Sequence, residues 1–317
     1  MTTTTTVDRG AFTHPALFYH SSQEYLDCLA PFITDGLQAG QPVLVAVPGP
    51  NLALLRDAVG DTAADVTMID MTTAGRNPGW ILGGILSHFA EEHAPHRVRM
   101  IGEQIWPTRS KAEYPACVQH EALVNTAFAG QEMTVLCPYD ATHLDAQTLA
   151  DARTTHPMLW HTGQPEEDSP AFAPEAAWLQ YNEPLPSSPT AVTYTVSVLA
   201  DLAGARAFAA TYAQWFGLSP NRAADLLLIA NELAASCLHH ADGACQLEFW
   251  RHEGHLVCQA RDGGYLDDPL TGRRSYESDS ACGRGLGVVN AVADLLRSHT
   301  MPGGTTIRAY LRVEDIG

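Results

Sequence analysis

Positive charge is scarce in this 317-residue chain: 18 Lys and Arg stand against 36 Asp and Glu, a formal net charge of -18. A duplex-binding surface needs basic side chains to neutralise phosphates, so direct nucleic-acid binding is not expected. The balance suits a soluble acidic surface or a basic protein partner. Long apolar runs are missing too. None approaches the roughly 20 residues that cross a bilayer, which argues against a membrane partner. The opening "MTTTTTVDRG" has neither a basic n-region nor an apolar core, so residues 1–11 read as a floppy tail rather than a signal peptide. The seven cysteines (28, 117, 137, 237, 245, 258 and 282) are odd in number and form no CxxC. Four lie in apolar or strand-like contexts, such as "VLC" at 135–137. They are expected to be reduced and mostly buried, which places the chain in a cytoplasm.

What is present falls into two halves. Hydrophobic residues make up 45% of the chain and charged ones 17%, enough apolar material to build sizeable cores over two domains. The stretch "TGQPEEDSPAFAPEAAWLQYNEPLPSSP" breaks any regular pattern with prolines and reads as a linker over 162–188. The expected domains are therefore 12–161 and 189–317. In the first, apolar strand-like runs at 42–48, 65–71, 98–103 and 132–140 alternate with helical stretches at 21–39, 78–93 and 113–129. That alternation predicts a mainly parallel α/β sheet. Ligands of such sheets sit beyond the carboxyl ends of the strands. Glu103, Trp106 and Tyr139 fall there and, with His14, are the candidate small-molecule pocket. The segment "VPGPNLALL" after the 42–48 strand lacks GK[ST], so P-loop chemistry is excluded. Cys117 and His120 lie one helical turn apart and could face one metal, but no second pair completes a site. A structural role is the more ordinary one for His14, Tyr19 and His20.

The runs "HPALFYHSSQEYLDCLAPFITDGLQAGQPVLVAVP", "RMIGEQIW", "EALVNTAF" and "VLCPYD" resemble the MEDS sensory domain, named from methanogen, methylotroph and DcmR regulators. The resemblance implies a degenerate RecA-like α/β fold used as a sensory input, with a small organic ligand. It departs from that family at Ala16, where a Cys often follows the leading His by two residues.

The second half alternates like a strand at "TAVTYTVSVL", continues through helices at 202–218 and 219–241, and returns in strands at "CQLEFWRH", "HLVCQARD" and "TTIRAYLRV". An α+β sandwich follows, with helices on one face. Three signals are spaced through it. Glu232 and Ser236 are i,i+4 on the long helix and share a face. "RDGG" at 261–264 puts an Asp and two glycines directly after a strand. "GRGLG" at 283–287 opens a helix, where glycines permit close backbone approach and the helix N-terminus favours an anion.

In this order the three signals resemble the GHKL-type (Bergerat) ATPase domain of anti-sigma factor serine kinases. The resemblance implies that Asp262 accepts the adenine amino group, Gly264 shapes the adenine pocket and Thr305 lies beside it. It implies a phosphate-facing lid and helix entrance at Gly283, Arg284, Gly285, Leu286 and Gly287, and Glu232 as the general base. Its cofactors would be ATP and Mg²⁺, and its partners a sigma factor or an anti-sigma antagonist. Two positions depart from that pattern. Ser236 stands where the family has the Mg²⁺-binding Asn, and Leu266 where the last Gly of the Asp box is expected, so a bulky side chain would crowd the pocket. Two functions follow: a regulatory Ser/Thr kinase that switches partners, or a catalytically weak nucleotide-binding or ligand-free interaction module gated by the sensory half. A homodimer is left open.

Overall fold

A computed structural model describes residues 12–240, 244–275 and 279–313, the side chains of 240, 281 and 282 apart. The tail expected at 1–11 lies outside the described residues. The chain divides into two compact units, Met1–Gly75 with His88–Leu179, and Arg76–Ser87 with Gln180–Gly317.

In chain order the first half contains β1 (Phe12–Thr13), β2 (Pro15–Tyr19), α1 (Ser22–Gln38), β3 (Val43–Val47), α2 (Gly49–Val59), β4 (Thr67–Asp70) and α3 (Met71–Ala74). It continues with α4 (Pro78–Trp80), a π-helical turn (Ile81–Ser87), α5 (His88–Glu92), β5 (Val98–Gly102), α6 (Tyr114–Ala127), β6 (Met133–Asp140), α7 (Ala146–Thr155), β7 (Met158–His161), β8 (Glu167–Asp168) and α8 (Pro174–Gln180). The sheet order is β4-β3-β5-β6-β2-β7-β8, with β1 also on β6. Every pairing is parallel except β7 with β8. The expected parallel α/β sheet is present. All five residues of β2 and of β3 are buried, the continuous apolar run of strands covered on both faces. The strands read at 42–48, 65–71, 98–103 and 132–140 correspond to β3, β4, β5 and β6. The pattern did not reveal β2, a five-residue strand opening on a proline, yet it sits between β6 and β7. Helix starts follow local chemistry: Ser21 accepts from the Glu24 amide and Asp145 from the Thr148 amide.

The second half contains β9 (Val192–Val196), α9 (Asp201–Trp215), α10 (Pro220–His240), β10 (Cys245–His252), β11 (His255–Asp262), α11 (Ala281–Val292), β12 (Leu295–Met301) and β13 (Gly304–Arg312). The strands form one antiparallel sheet, β12-β13-β11-β10-β9. Ala205, Ala209, Leu226, Ile229, Leu233, Leu286 and Val289 share one apolar core with Leu247, Phe249, Cys258 and Ala309. That is the expected α+β arrangement.

Two expectations need correction. The stretch read as a linker carries β8 and α8, and its end is tied down inside the second unit. Ser187 Oγ donates to Glu248 (2.7 Å), Arg308 donates to Pro186 O (2.6 Å) and Arg261 to Leu185 O (3.1 Å). Prolines interrupt helices and strands without preventing a segment from packing through its carbonyls. The cysteines are not all reduced: Cys237 and Cys245 form a disulfide. Their Cα atoms lie 5.6 Å apart, inside bridging range. Cys117, Cys137 and Cys258 are free and buried, as expected. Among the described residues, no helix is long and apolar enough to cross a membrane.

Candidate functional site

The antiparallel unit gathers the expected nucleotide residues into two groups. At the end of β11, Asp262 pairs with Thr305 across β13, and its Oδ1 accepts from the Gly264 amide (2.7 Å). Thr305 Oγ1 donates to Gly264 O (3.0 Å) and lies 2.9 Å from Thr300 Oγ1. Asp262, Gly264 and Thr305 are therefore brought together. Asp262 and Thr305 line a cleft of about 450 Å³ with Pro186, His299 and Gly304. Leu266, expected to crowd the pocket, packs against the apolar core, and its amide donates to Thr300 Oγ1 (3.0 Å).

The second group joins α10 to α11. A Cβ built on Gly285 would lie 2.8 Å from Glu232 Oε2, so the carboxylate rests against the glycine helix and any side chain at 285 would push it away. Asn231 Nδ2 donates to Glu232 Oε1 (3.1 Å), while Asn231 Oδ1 accepts from Arg206 (2.6 Å). Ser236 follows one turn later on α10, half-buried.

The motif 283–287, expected as a phosphate-facing lid and helix entrance, does enter a helix. It is helical, forming the first turns of α11, because Ser280 caps the helix and Leu286 and Val289 bury on the core side. Ser280 Oγ accepts from the Gly283 amide (3.0 Å). The Asp279 carboxylate sits at this helix start, accepting from the amides of Gly272 and Ser280 (both 2.8 Å). A Cβ on Gly283 would overlap that carboxylate. A loop amide and the cap residue's amide thus hold a carboxylate beside the helix start.

Sequence reasoning missed a further part of this unit. The segment Arg76–Ser87 packs within it. Asn77 Nδ2 donates to Asn290 O (2.8 Å), its Oδ1 accepts from the Leu296 amide (3.1 Å), and Arg76 pairs with Asp294 (2.9 Å). A Cβ on Gly83 would lie 2.5 Å from Arg274 O and 2.8 Å from Arg273 O, so only glycine permits this approach to the 267–275 loop. Trp80 and Gly83 line a cavity of about 130 Å³ with Gly283, Arg284 and Gly287. The available signal was the "GG" pair inside a helical stretch.

In the parallel-sheet unit the four candidate pocket residues do not converge. Trp106 lines a cleft of about 330 Å³ with Arg109, Lys111, Tyr114 and His143, and the Arg109 guanidinium stacks on its ring at 4.0 Å. Glu103 is sealed beneath a different network, accepting from Asn51 (2.8 and 3.0 Å), Tyr25 (3.2 Å) and Tyr19 (3.4 Å). Burial pushes its pKa up to about 7, against the opposing pull of those hydrogen bonds. His14 and Tyr139 belong to a third, buried set around Glu121. The strand-end rule places residues along the chain but does not say which way a side chain turns, and these turn into the core. Cys117 and His120 are also buried on α6, outside that set. Burial raises the Cys117 thiol to about 11, which keeps it protonated and inert.

Residues 13–157 match the family described as the methanogen/methylotroph, DcmR sensory domain, MEDS. Residues 196–311 match the histidine kinase-like ATPase domain. The chain thus carries a MEDS sensory domain followed by a histidine kinase-like ATPase domain. Arg76–Ser87 lies inside the span of the first match yet packs in the unit of the second. No curated protein matches. Among solved structures, the RsbU and RsbW domains of Rv1364c from Mycobacterium tuberculosis align at 15% identity and TM-score 0.31, over 40% of this chain and 33% of that one. This chain thus spans only a third of that protein's length. The SiaB–SiaC complex from Pseudomonas aeruginosa aligns at 17% identity and TM-score 0.32, over 38% of this chain and 88% of the aligned one.

Proposed function

We propose that this chain is a signal-responsive regulator of the anti-sigma type. In this reading its ATPase domain binds an adenine nucleotide and a protein partner, either a sigma factor or an antagonist, and phosphoryl transfer is weak. The observation that carries it is the Glu232 carboxylate held against Gly285 of the glycine helix, with Ser236 rather than Asn one turn on. The residues fit a nucleotide. Asp262 offers a carboxylate acceptor beside Gly264 and Thr305, and beside the start of α11 the amides of Gly272 and Ser280 already hold the Asp279 carboxylate.

Bound ATP would supply the phosphoryl group, and Mg²⁺ the charge that neutralises it. Glu232 would orient or deprotonate an attacking hydroxyl. Ser236 offers a hydroxyl on a shorter side chain than Asn, which weakens metal-dependent transfer more than it weakens adenine recognition. Asp279 would give up its place to phosphate, and the 267–275 loop would move with it. The packing of Gly83 against that loop supports gating, because Arg76–Ser87 belongs to the sensory match. A small ligand of the MEDS domain would enter the cleft at Trp106, lined also by Arg109, Lys111, Tyr114 and His143.

Titration of the full chain with a fluorescent ATP analogue tests the reading. Binding is expected and should be lost or weakened by about 1–3 kcal/mol in Asp262→Ala, which removes the amino acceptor. A folded chain that ignores adenine nucleotides, with and without Mg²⁺, would leave a ligand-free interaction module as the function.

A further inference from the structure

Beneath α6, in the parallel-sheet unit, four donor side chains converge: His14, Glu121, Cys137 and His156. Their ligating atoms all lie within 4.8 Å of one another, and all four residues are buried. They come from four different elements. His14 directly precedes β2, Cys137 is in β6, His156 precedes β7 and Glu121 is on α6.

Hydrogen bonding fixes which atoms face inward. Asn125 Nδ2 donates to the carbonyls of Glu121 (3.2 Å), Ala122 (3.2 Å) and Thr155 (2.8 Å). Its amide orientation is therefore set, and Oδ1 is left to accept from His14 Nδ1 (3.1 Å). His14 Nδ1 therefore donates outward to Asn125, and Nε2 faces the cluster. His156 repeats the arrangement. Its Nδ1 lies 2.8 Å from Ala152 O, an acceptor only, so that nitrogen bears the proton. His156 Nε2 is buried with no hydrogen-bond partner and lies 3.5 Å from Glu121 Oε2. Tyr139 donates to Glu121 Oε1 (3.2 Å), which leaves Oε2 for the centre.

Two imidazole nitrogens, a carboxylate oxygen and the Cys137 sulfur thus face one spot, and His156 Nε2 has no hydrogen-bond partner there. Buried acceptors aimed at acceptors are unfavourable unless something positive lies between them. Four of the six donor-to-donor spacings suit such an occupant, and the remaining two are no longer than 4.8 Å. His14 Nε2 to Glu121 Oε2 is 3.4 Å, His156 Nε2 to Glu121 Oε2 is 3.5 Å, and Cys137 Sγ is 3.5 Å from both His14 Nε2 and Glu121 Oε2. A tetrahedron with bonds of about 2.0–2.3 Å has edges of roughly 3.3–3.8 Å. Imidazoles whose Nδ1–H is held by a carbonyl oxygen are also the usual second shell of metal-bound histidine.

We propose that His14, Glu121, Cys137 and His156 form a closed tetrahedral site for a divalent, borderline-soft cation of the Zn²⁺ type. Binding releases the Cys137 proton to solvent and leaves a thiolate on the metal. With four protein donors and no open position, the site is structural. It pins three neighbouring strands, β6, β2 and β7, to α6.

The full chain, stripped with a chelator and then titrated with Co²⁺, tests this. One equivalent should bind, giving the intense visible bands of tetrahedral Co²⁺ and a sulfur-to-cobalt charge-transfer band, both erased by one equivalent of Zn²⁺. Cys137→Ser should lose the charge-transfer band and weaken Co²⁺ binding more than tenfold. His156→Ala should lose the tetrahedral bands. Far-UV circular dichroism checks that each variant is folded. Should a variant not fold, the stoichiometry and spectrum of the unmodified chain decide. A folded unmodified chain that takes up neither Co²⁺ nor Zn²⁺ overturns the proposal. So does uptake with the weak bands of octahedral Co²⁺, or a sulfur band that survives Cys137→Ser.

Discussion

Chemistry-bearing side chains sit at different depths in the two units. In the parallel-sheet unit His14, Glu103, Glu121, Tyr139 and His156 are all buried. In the antiparallel unit Asp279 and Thr305 are buried, but Glu232, Ser236, Asp262 and Arg284 are only half-buried. The cause is architectural. Continuous apolar strands covered on both faces leave no wet side, so a polar group there must find its partners inside. The antiparallel unit carries its candidate groups at a strand end and along two helix faces, where solvent or a ligand can replace a partner. Substitutions in the first unit should therefore cost stability, and those in the second should change binding.

The sharpest contrast is Glu121. Removing it as Glu121→Ala strips the carboxylate from two histidines, a thiol and a tyrosine in one step, which should cost about 3–5 kcal/mol. Denaturant unfolding measures this; a loss under about 1 kcal/mol would break the contrast between the units.

Glu103 should show itself through pH. Its folded pKa is raised from 4.5 to about 7, so across that interval the folded chain holds a proton that the unfolded chain releases. Stability should then fall as pH rises from 4.5 to about 7, by up to about 3 kcal/mol. Glu103→Gln should flatten this dependence. Unfolding at a series of pH values checks both, and an unchanged slope in the variant would assign the dependence to other groups.

A smaller effect is expected at the start of α11. If the Asp279 carboxylate occupies the place of phosphate, Asp279→Ala should tighten nucleotide binding about tenfold, roughly 1.4 kcal/mol. Calorimetry would show it. Weaker binding in that variant would mean that Asp279 shapes the site rather than competing for it.

The smallest effect should come from Ser236→Asn. Adenine affinity should change little, while its dependence on Mg²⁺ should increase and phosphorylation of a partner protein should rise. Brisk Mg²⁺-dependent transfer by the unmodified chain, equal to that of the Asn variant, would show that Ser236 is an adequate metal ligand.

Much of the architecture is legible in the residues alone. Apolar runs such as "PVLVAVP" announce buried strands because a parallel sheet covered on both faces needs no polar alternation. The i,i+4 spacing of Glu232 and Ser236 and the glycines of 283–287 survive as local features of α10 and α11. By themselves, then, the residues determined the two-part organisation and the class of each sheet. The tertiary structure decided the rest. His14, Glu121, Cys137 and His156 are spread over more than 140 positions, and nothing in their spacing joins them; the register of β6, β2 and β7 does. The placement of Arg76–Ser87 was equally hidden, because a "GG" pair reports that something comes close without saying what. Periodicity reports which way a side chain faces relative to its own element, and only the packing of elements decides what it meets there.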